Sequence, residues 1–470
     1  MKKVLIPLAA LLLIPVLANS QTAWDLQGEF WPQVLIDNGV GSGHGIAVDG
    51  LDRVWFLPFG KSDSVDTGGG VYASVSAVYV FGQDMSLVET VKFVTLPGGG
   101  TDTLGFDALA DNGRGLRADG NGDILVSLDK SLYHVDHTTA GDGDGIVTGM
   151  KRAFNDGSTG YCAVTAAAVA TDTGNIFIGS VCSGDDASPR ELNPTDLSDL
   201  GNVADISRGF SRSFEVSPDG NSVLWAGYTN NAVILYQRAD EFSAWDSIGT
   251  VLRGMDSESM TINRATGNLW VGSGSPNDAP NRYVLPDGTP VVTSWDSNTW
   301  YEFALADVLD GDAVETPLGS ITWGECQTFT DGVCNETGGR PRGLAFSNDG
   351  NTAWVTQFSQ VAPAMYYYTV GSTSIDQVDA TVPESYTLSQ NYPNPFNPST
   401  TIEFALRESQ HARLSVFDMM GREVAVLVDQ TMMPGTYEAT FNADNLSSGI
   451  YLYRLQVGGE QLTGTMTLLK

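Results

Sequence analysis

The stretch Gly45–Phe56, GIAVDGLDRVWF, holds a short alternating strand, a tight turn of Asp and Gly, and a second strand rich in β-branched and aromatic residues. It recurs as GLRADGNGDILV (Gly115–Val126), AAAVATDTGNIFIG (Ala166–Gly179), SFEVSPDGNSVLWAG (Ser213–Gly227), SMTINRATGNLWVGS (Ser259–Ser273) and GLAFSNDGNTAWVT (Gly343–Thr356). Measured on the apolar residue before each turn (Val48, Ala118, Val169, Val216, Ile262, Phe346), the copies lie 70, 51, 47, 46 and 84 residues apart. The middle spacings are those of a four-stranded propeller blade of about 40 to 50 residues. The two long gaps imply insertions, or a degenerate seventh repeat near Tyr283 to Val308. Further strand candidates follow the hairpins, as in Ala77–Asp84 and Ala232–Asp240.

A lone four-stranded sheet cannot bury both faces, whereas sheets packed radially about an axis cover one another and leave only short edges. The expected fold class is therefore all-β, a six-bladed or seven-bladed β-propeller; a β-sandwich would not explain the recurring period. The 53 glycines in 470 residues agree with a chain of many turns.

The chain begins MKKVLIPLAALLLIPVLANS, two lysines, an apolar run and the small-x-small triplet Ala18, Asn19, Ser20, which predicts a signal peptide over residues 1–20. No later segment is apolar enough for a membrane span. Losing Lys2 and Lys3 takes the formal charge from −32 to −34, a field that repels phosphate backbones and argues against nucleic-acid binding. In an exported chain the four cysteines favour two local disulfides, Cys162 with Cys182 and Cys326 with Cys334, over a zinc site.

Four residues before each turn anchor stand His44, Arg114, Thr165, Arg212, Glu258 and Arg342, all polar. In a propeller, equivalent positions ring one mouth of the central channel. Three arginines and a histidine there suit a carboxylate, sulfate or phosphate on a small ligand, so the expected partner is a small anionic or saccharide ligand. The structural alternative is that they tie neighbouring sheets together through ion pairs. The loop Ala140–Thr148, AGDGDGIVT, has the Asp-x-Asp-Gly core of a calcium loop without an acid at its first position, and Lys151 stands where a bidentate glutamate belongs, so no cofactor beyond a loosely held structural calcium is expected. The loop Asp307–Glu315 reads the same way. His134, Asp136 and His137 could chelate a metal by spacing, but strand alternation sends His137 to the opposite face. The segment Gly113–Ala118 fits a dinucleotide fingerprint by letter and leads into a strand where a helix is needed.

Past Gly371 the composition turns polar, which predicts a linker over residues 372–385 after a propeller over 21–371. The final segment, 386–470, alternates short strands and turns and reads as a small Ig-like antiparallel sandwich. It opens on Asn391-Tyr392-Pro393-Asn394-Pro395-Phe396-Asn397-Pro398, continues with Thr401-Ile-Glu-Phe, Val416-Phe-Asp-Met-Met-Gly-Arg-Glu-Val and Leu446-Ser-Ser-Gly-Ile-Tyr-Leu-Tyr-Arg-Leu, and ends on Lys470. The prolines predict a stiff, extended lead-in, with Tyr392 and Phe396 anchored on the sandwich; Gly421, Gly449 and Tyr451 complete the motif.

This tail resembles the type A C-terminal sorting domain of the type IX secretion system, with Met419 and Met420 where Val, Leu or Ile is usual. The resemblance implies delivery by the outer-membrane translocon to the cell surface or the medium. The repeats resemble NHL-type and streptogramin-lyase-like propellers, and GNLWVGS (Gly267–Ser273) resembles the repeats of periplasmic sensor propellers. Those likenesses imply architecture. They also set alternatives beside a surface-displayed or released binding protein: a lyase or hydrolase on a saccharide or lactone, for which His44 and Glu258 are the candidates, or an adhesive surface component.

Overall fold

The computed structural model describes residues 24–470 except 41–42, 107–111, 155–163, 181–187, 204–210, 228–231, 256, 274–281, 285–289, 293–294, 297, 315, 324–325, 331–332, 338–340, 358–364, 371–374, 380–382, 384, 409, 433 and 444–445. It falls into two compact units, Trp24–Val370 and Gly371–Lys470. The expected signal peptide lies outside the described residues.

In five of the six repeats the hairpin is fixed by the residue that follows the turn anchor; in the third, where that residue is Ala170, the Thr173 hydroxyl accepts the Asn175 N–H at 3.2 Å instead. Asp49 accepts the N–H groups of Leu51 and Arg53 at 2.8 and 2.9 Å, and Asp119 those of Asn121 and Asp123 at 2.8 and 2.9 Å. Asn263 accepts from Ala265 at 3.0 Å, and the Ser217 and Ser347 hydroxyls from Ser222 and Thr352 at 2.9 Å each. Short polar side chains that bond their own backbone nucleate tight turns, which explains this repeat's taste for Asp, Asn and Ser.

Each hairpin supplies the two inner strands of one antiparallel sheet. The first sheet runs Gly43–Val48, Val54–Pro58, Val78–Phe81, Leu87–Val91. The second runs Gly113–Ala118, Ile124–Leu128, Ser131–Asp136, Ile146–Ala153 and extends to Phe93–Thr95 and Thr101–Thr103. The third is Ala168–Val169, Ile176–Ile178, Arg190–Leu192, Asp199–Asn202, and the fourth Ser211–Val216, Ser222–Gly227, Ala232–Gln237, Asp246–Arg253. The fifth is Ser257–Ile262, Leu269–Ser273, Thr299–Phe303, Gly319–Thr322. The sixth runs Pro341–Phe346, Thr352–Gln357, Met365–Val370 and takes its outer strand, Trp24–Phe30, from the start of the unit. Strand Thr299–Phe303 thus belongs to the fifth sheet, and Arg282–Val284 pairs with Pro290–Val292 as a small ribbon, so the ribbon is an insertion within the fifth repeat and the strand after it is that repeat's own.

The innermost strands touch in sequence around a closed circle, each against the next and Pro341–Phe346 back against Gly43–Val48, which is the radial plan of a β-propeller. Close approach requires small residues. A Cβ on Gly45 would stand 2.5 Å from the Leu116 backbone nitrogen, and one on Gly115 2.4 Å from the Ala166 Cβ. The space between sheets is filled from the second strands: Ala47, Ala168, Thr261 and Ala345 pair across to Trp55, Phe177, Trp270 and Trp354, setting small against large in four of the six hairpins. Trp55, Trp225 and Trp270 are fully buried.

In the second unit, Ile375–Asp379, Gly435–Asn442, Ser399–Leu406 and Thr387–Leu388 form one sheet, and Glu423–Met432, Gln410–Phe417, Gly449–Val457 and Glu460–Leu468 another. One apolar cluster spans both, including Phe404, Phe441, Leu414 and Leu455. Three expectations need correction here. The stretch read as linker contains Ile375–Asp379, an edge strand paired with Gly435–Asn442. The proline-rich lead-in is a series of bends held by bridges from Tyr392 to Thr401 and from Phe396 to Leu468, because the Asn391 amide bonds the Thr400 hydroxyl at 2.8 Å and the Pro393 carbonyl at 3.1 Å and folds the chain on itself. Phe396 is buried, but Tyr392 is 81% exposed and anchors nothing.

The side chains of Cys162, Cys182, Cys326 and Cys334 lie outside the described residues. In the ribbon Cys326–Thr330 with Val333–Thr337, Cys326 pairs with Thr337 and Cys334 with Phe329, a register that sets neither cysteine across from the other. No helix among the described residues is long and apolar enough to cross a membrane.

Candidate functional site

The polar positions at the start of the inner strands share a backbone cause. In the first sheet Gly43 pairs with Pro58 but Gly45 with Leu57, so His44 is an extra residue in the ladder. The same one-residue slip brackets Arg114, Arg212, Glu258 and Arg342. In the third sheet Val164 bridges Ser180 while Ala168 pairs with Phe177, which places the slip around Thr165. A bulge leaves its extra residue unpaired and re-aims the side chain, which suits polar groups at a channel rim.

The structure shows what these side chains meet. His44 Nδ1 lies 2.9 Å from the Arg114 carbonyl, and its ring packs on Phe59 at 5.3 Å. Arg114 pairs with Asp129 and stacks over Phe59 at 5.5 Å. Arg342 of the sixth sheet pairs at 2.8 Å with the buried Glu258 of the fifth. The Thr165 hydroxyl accepts the Gly179 N–H at 3.1 Å. The Arg212 side chain lies outside the described residues. His44 and Glu258 thus join adjacent sheets.

At the turn end of the same strands lies a cavity of about 350 Å3 lined from every sheet, with Val48, Arg117, Val169, Glu215, Thr261 and Phe346 among its walls. Arg117 leaves the second sheet and crosses it: its guanidinium meets Glu215 of the fourth sheet at 3.1 Å and donates to the Met260 carbonyl at 2.8 Å and the Thr261 hydroxyl, both in the fifth. Its Nε donates to the Ala167 carbonyl at 3.0 Å. Arg264 reaches back from the fifth sheet to the Ala118 and Asp119 carbonyls of the second. Burial, with Arg117 nearby, lowers the Arg264 pKa, and burial pushes the Glu215 carboxyl up against the pull of Arg117. Two guanidinium groups share Glu215, the one carboxylate among the lining residues, while Asp119 acts on Arg264 from beside the cavity.

Arg117 and Glu215 of the cavity come from the position directly before each anchor, which reads Ala47, Arg117, Ala168, Glu215, Thr261, Ala345, and not from the ring four before it. An arginine and a glutamate at repeat positions otherwise held by Ala and Thr were the available signal.

Among the described residues, three carboxylate groupings could offer metal ligands. Asp119, Asp123 and His134 form one, Asp123, Asp136 and His137 a second. His134 bonds Asp119 at 3.1 Å and His137 bonds Asp123 at 2.7 Å, so the two histidines serve different carboxylates. The third joins Asp142 and Asp144 of the expected calcium loop to Glu89, which holds the loop by accepting the Gly141 N–H and, at 2.7 Å, the Gly145 N–H. The other loop considered begins with a short helix, Leu305–Leu309, and Asp310 caps its end by accepting the Asp312 N–H at 2.8 Å.

Residues 390–468 match the family of secretion system C-terminal sorting domains. That tail marks the chain for export by the type IX secretion system to the cell surface or for release. No curated protein matches the chain significantly. Similar solved structures include a luciferin-regenerating enzyme, 11% identical, covering 74% of this chain and 95% of its own, at a TM-score of 0.40. A Bacteroides thetaiotaomicron structural-genomics protein is 11% identical over 75% of this chain and 74% of its own, at 0.40. A protein assigned as a gluconolactonase is 12% identical over 75% of this chain and 92% of its own, at 0.41.

Proposed function

Since the tail directs the chain to the cell exterior, we propose that Trp24–Val370 is a six-bladed propeller that binds a small anion-bearing molecule in its axial cavity, followed by an Ig-like sorting sandwich. The observation that carries this reading is the pair Arg117 and Arg264 against Glu215 inside one cavity. A carboxylate, sulfate or phosphate there would meet two guanidinium groups whose only lining carboxylate is the disfavoured Glu215, and guanidinium forks match those oxyanions. The surrounding chain is strongly acidic, so a local positive focus is a built feature. Arg342 with Glu258, and Arg114 with Asp129, support a different part for the bulge ring: it ties the rim together and frames the far mouth.

The test is thermal unfolding across a panel of sulfate, phosphate, citrate and glucuronate. At least one anion at saturating concentration should raise Tm by about 2 °C or more, since ligand at 100-fold its Kd adds about 2.7 kcal/mol. Arg264→Gln should abolish that shift. A flat response of the native protein to every anion, or an unchanged shift in the variant, would overturn the reading.

A further inference from the structure

We propose a second ligand site, for neutral polysaccharide, in the cleft between the outer strands of the third and fourth sheets. This cleft, of about 620 Å3, is lined by Glu191, Asn202, Arg238, Glu241, Phe242 and Trp245 among others. Its base is a closed polar network. Arg238 donates to both carboxylate oxygens of Glu191 at 2.7 and 2.9 Å, to the Asn221 side-chain oxygen at 3.1 Å and to the Gly220 carbonyl at 2.9 Å. Asn175 donates to the same Glu191 at 2.7 Å. The guanidinium then stacks on Trp245 at 4.6 Å and fixes the indole as a wall of the cleft.

Phe242 stands on the neighbouring turn and is 90% exposed, the most exposed of the large apolar side chains described. Asp240 holds that turn by accepting the Phe242 N–H at 3.0 Å and the Ser243 hydroxyl at 2.8 Å. A rigid turn that presents a phenyl ring to water beside a braced indole gives up apolar burial, and exposed apolar surface rimmed by polar groups marks recognition.

The chemistry of the lining selects the ligand. The positive charge of Arg238 is spent on the buried Glu191, leaving Glu241 as an exposed carboxylate, so an anionic ligand meets no compensating cation here. Flat apolar rings next to amide and carboxylate groups match a pyranose, which carries a C–H face that lies on an aromatic ring and a rim of hydroxyls that pair with Asn202 and Glu241. Outside the cell, neutral polysaccharide is a polymer such a cleft can reach.

The experiment is affinity electrophoresis of the full chain through gels containing mixed-linkage β-glucan, xylan, galactomannan or soluble starch. At least one gel should slow the native protein, and Phe242→Ala should lose at least tenfold in apparent affinity; the residue is surface-borne and its replacement should leave Tm unchanged. Trp245→Phe, which keeps the ring but shortens it, should fall between. Leu87→Ser, an exposed position on the first sheet, should migrate as the native protein does. Unretarded native protein in all four gels overturns the site, as does full retardation of Phe242→Ala, or binding to a peptide library that needs Phe242 without any polysaccharide effect. The anion panel reads the axial cavity alone, so the two outcomes are independent.

Discussion

Glu215 shows how one residue reports on its surroundings. Its side chain is buried beside Arg117, yet burial outweighs that attraction and raises its pKa. An acid with a raised folded pKa binds its proton more tightly folded than unfolded. Its stabilising contribution is therefore complete below the ordinary carboxylate range and lost as pH climbs through the raised value. Glu215→Gln removes that dependence while keeping a hydrogen-bonding group for Arg117. Urea unfolding at pH 4.5 and 7.5 should show the variant gaining relative to the native protein at the higher pH; a difference that stays constant between the two would show that Glu215 does not titrate this way. Glu215 also marks the limit of reading sequence. Letters show a repeat and its polar positions, but the one-residue bulge at His44 breaks the alternation that would relate it to the positions after it, and bulges leave no mark in composition. The position four before each anchor therefore looked the more telling ring.

Among the elements, strand Trp24–Phe30 closes the circle. It pairs with Met365–Val370, and Trp24 packs edge-on against Trp270 at 5.7 Å and against Phe346 at 5.6 Å, so the first and last strands of the unit share one sheet. Nothing in WDLQGEF announces this, because the repeat is recognisable by its hairpin turn and a lone strand has none. The six inner hairpins were legible for the opposite reason: each carries its own Asp, Asn or Ser turn and a period long enough to measure. Loss of the clasp would leave the Met365–Val370 edge unpaired and strip Trp24 from Trp270 and Phe346. Trp24→Ala should cost about 3 kcal/mol, the lower end for truncating a packed Trp, and lower the urea midpoint accordingly. A midpoint within error of the native value would mean that the circle holds without its clasp.

At the scale of the whole molecule, the tail was legible as a sorting domain because its signature lies in contiguous motifs, though its edge strand Ile375–Asp379 and the folded course of its proline run were not, while the axial cavity needs six distant segments to meet and could be reached only by counting repeats. Two independent cores follow from that division, one of radial sheets and one of the paired sheets around Phe404, Phe441 and Leu455. Phe396 connects the sorting motif to the second core: its backbone bonds Thr467 at 3.0 Å and Leu469 at 2.9 Å, and its ring is buried near Phe441 at 6.1 Å. Phe396→Ala should cost the tail about 3 to 5 kcal/mol, a large share of what a domain of this size has to spare. Calorimetry of the full chain should then show the transition of the tail lowered and that of Trp24–Val370 unchanged. In cells with an intact type IX system, the same variant should be held in the periplasm with its anion-dependent Tm shift retained. If both transitions fall together, the units share one cooperative structure; if the variant is exported as well as the native chain, the proline-rich motif is not read through its folded core.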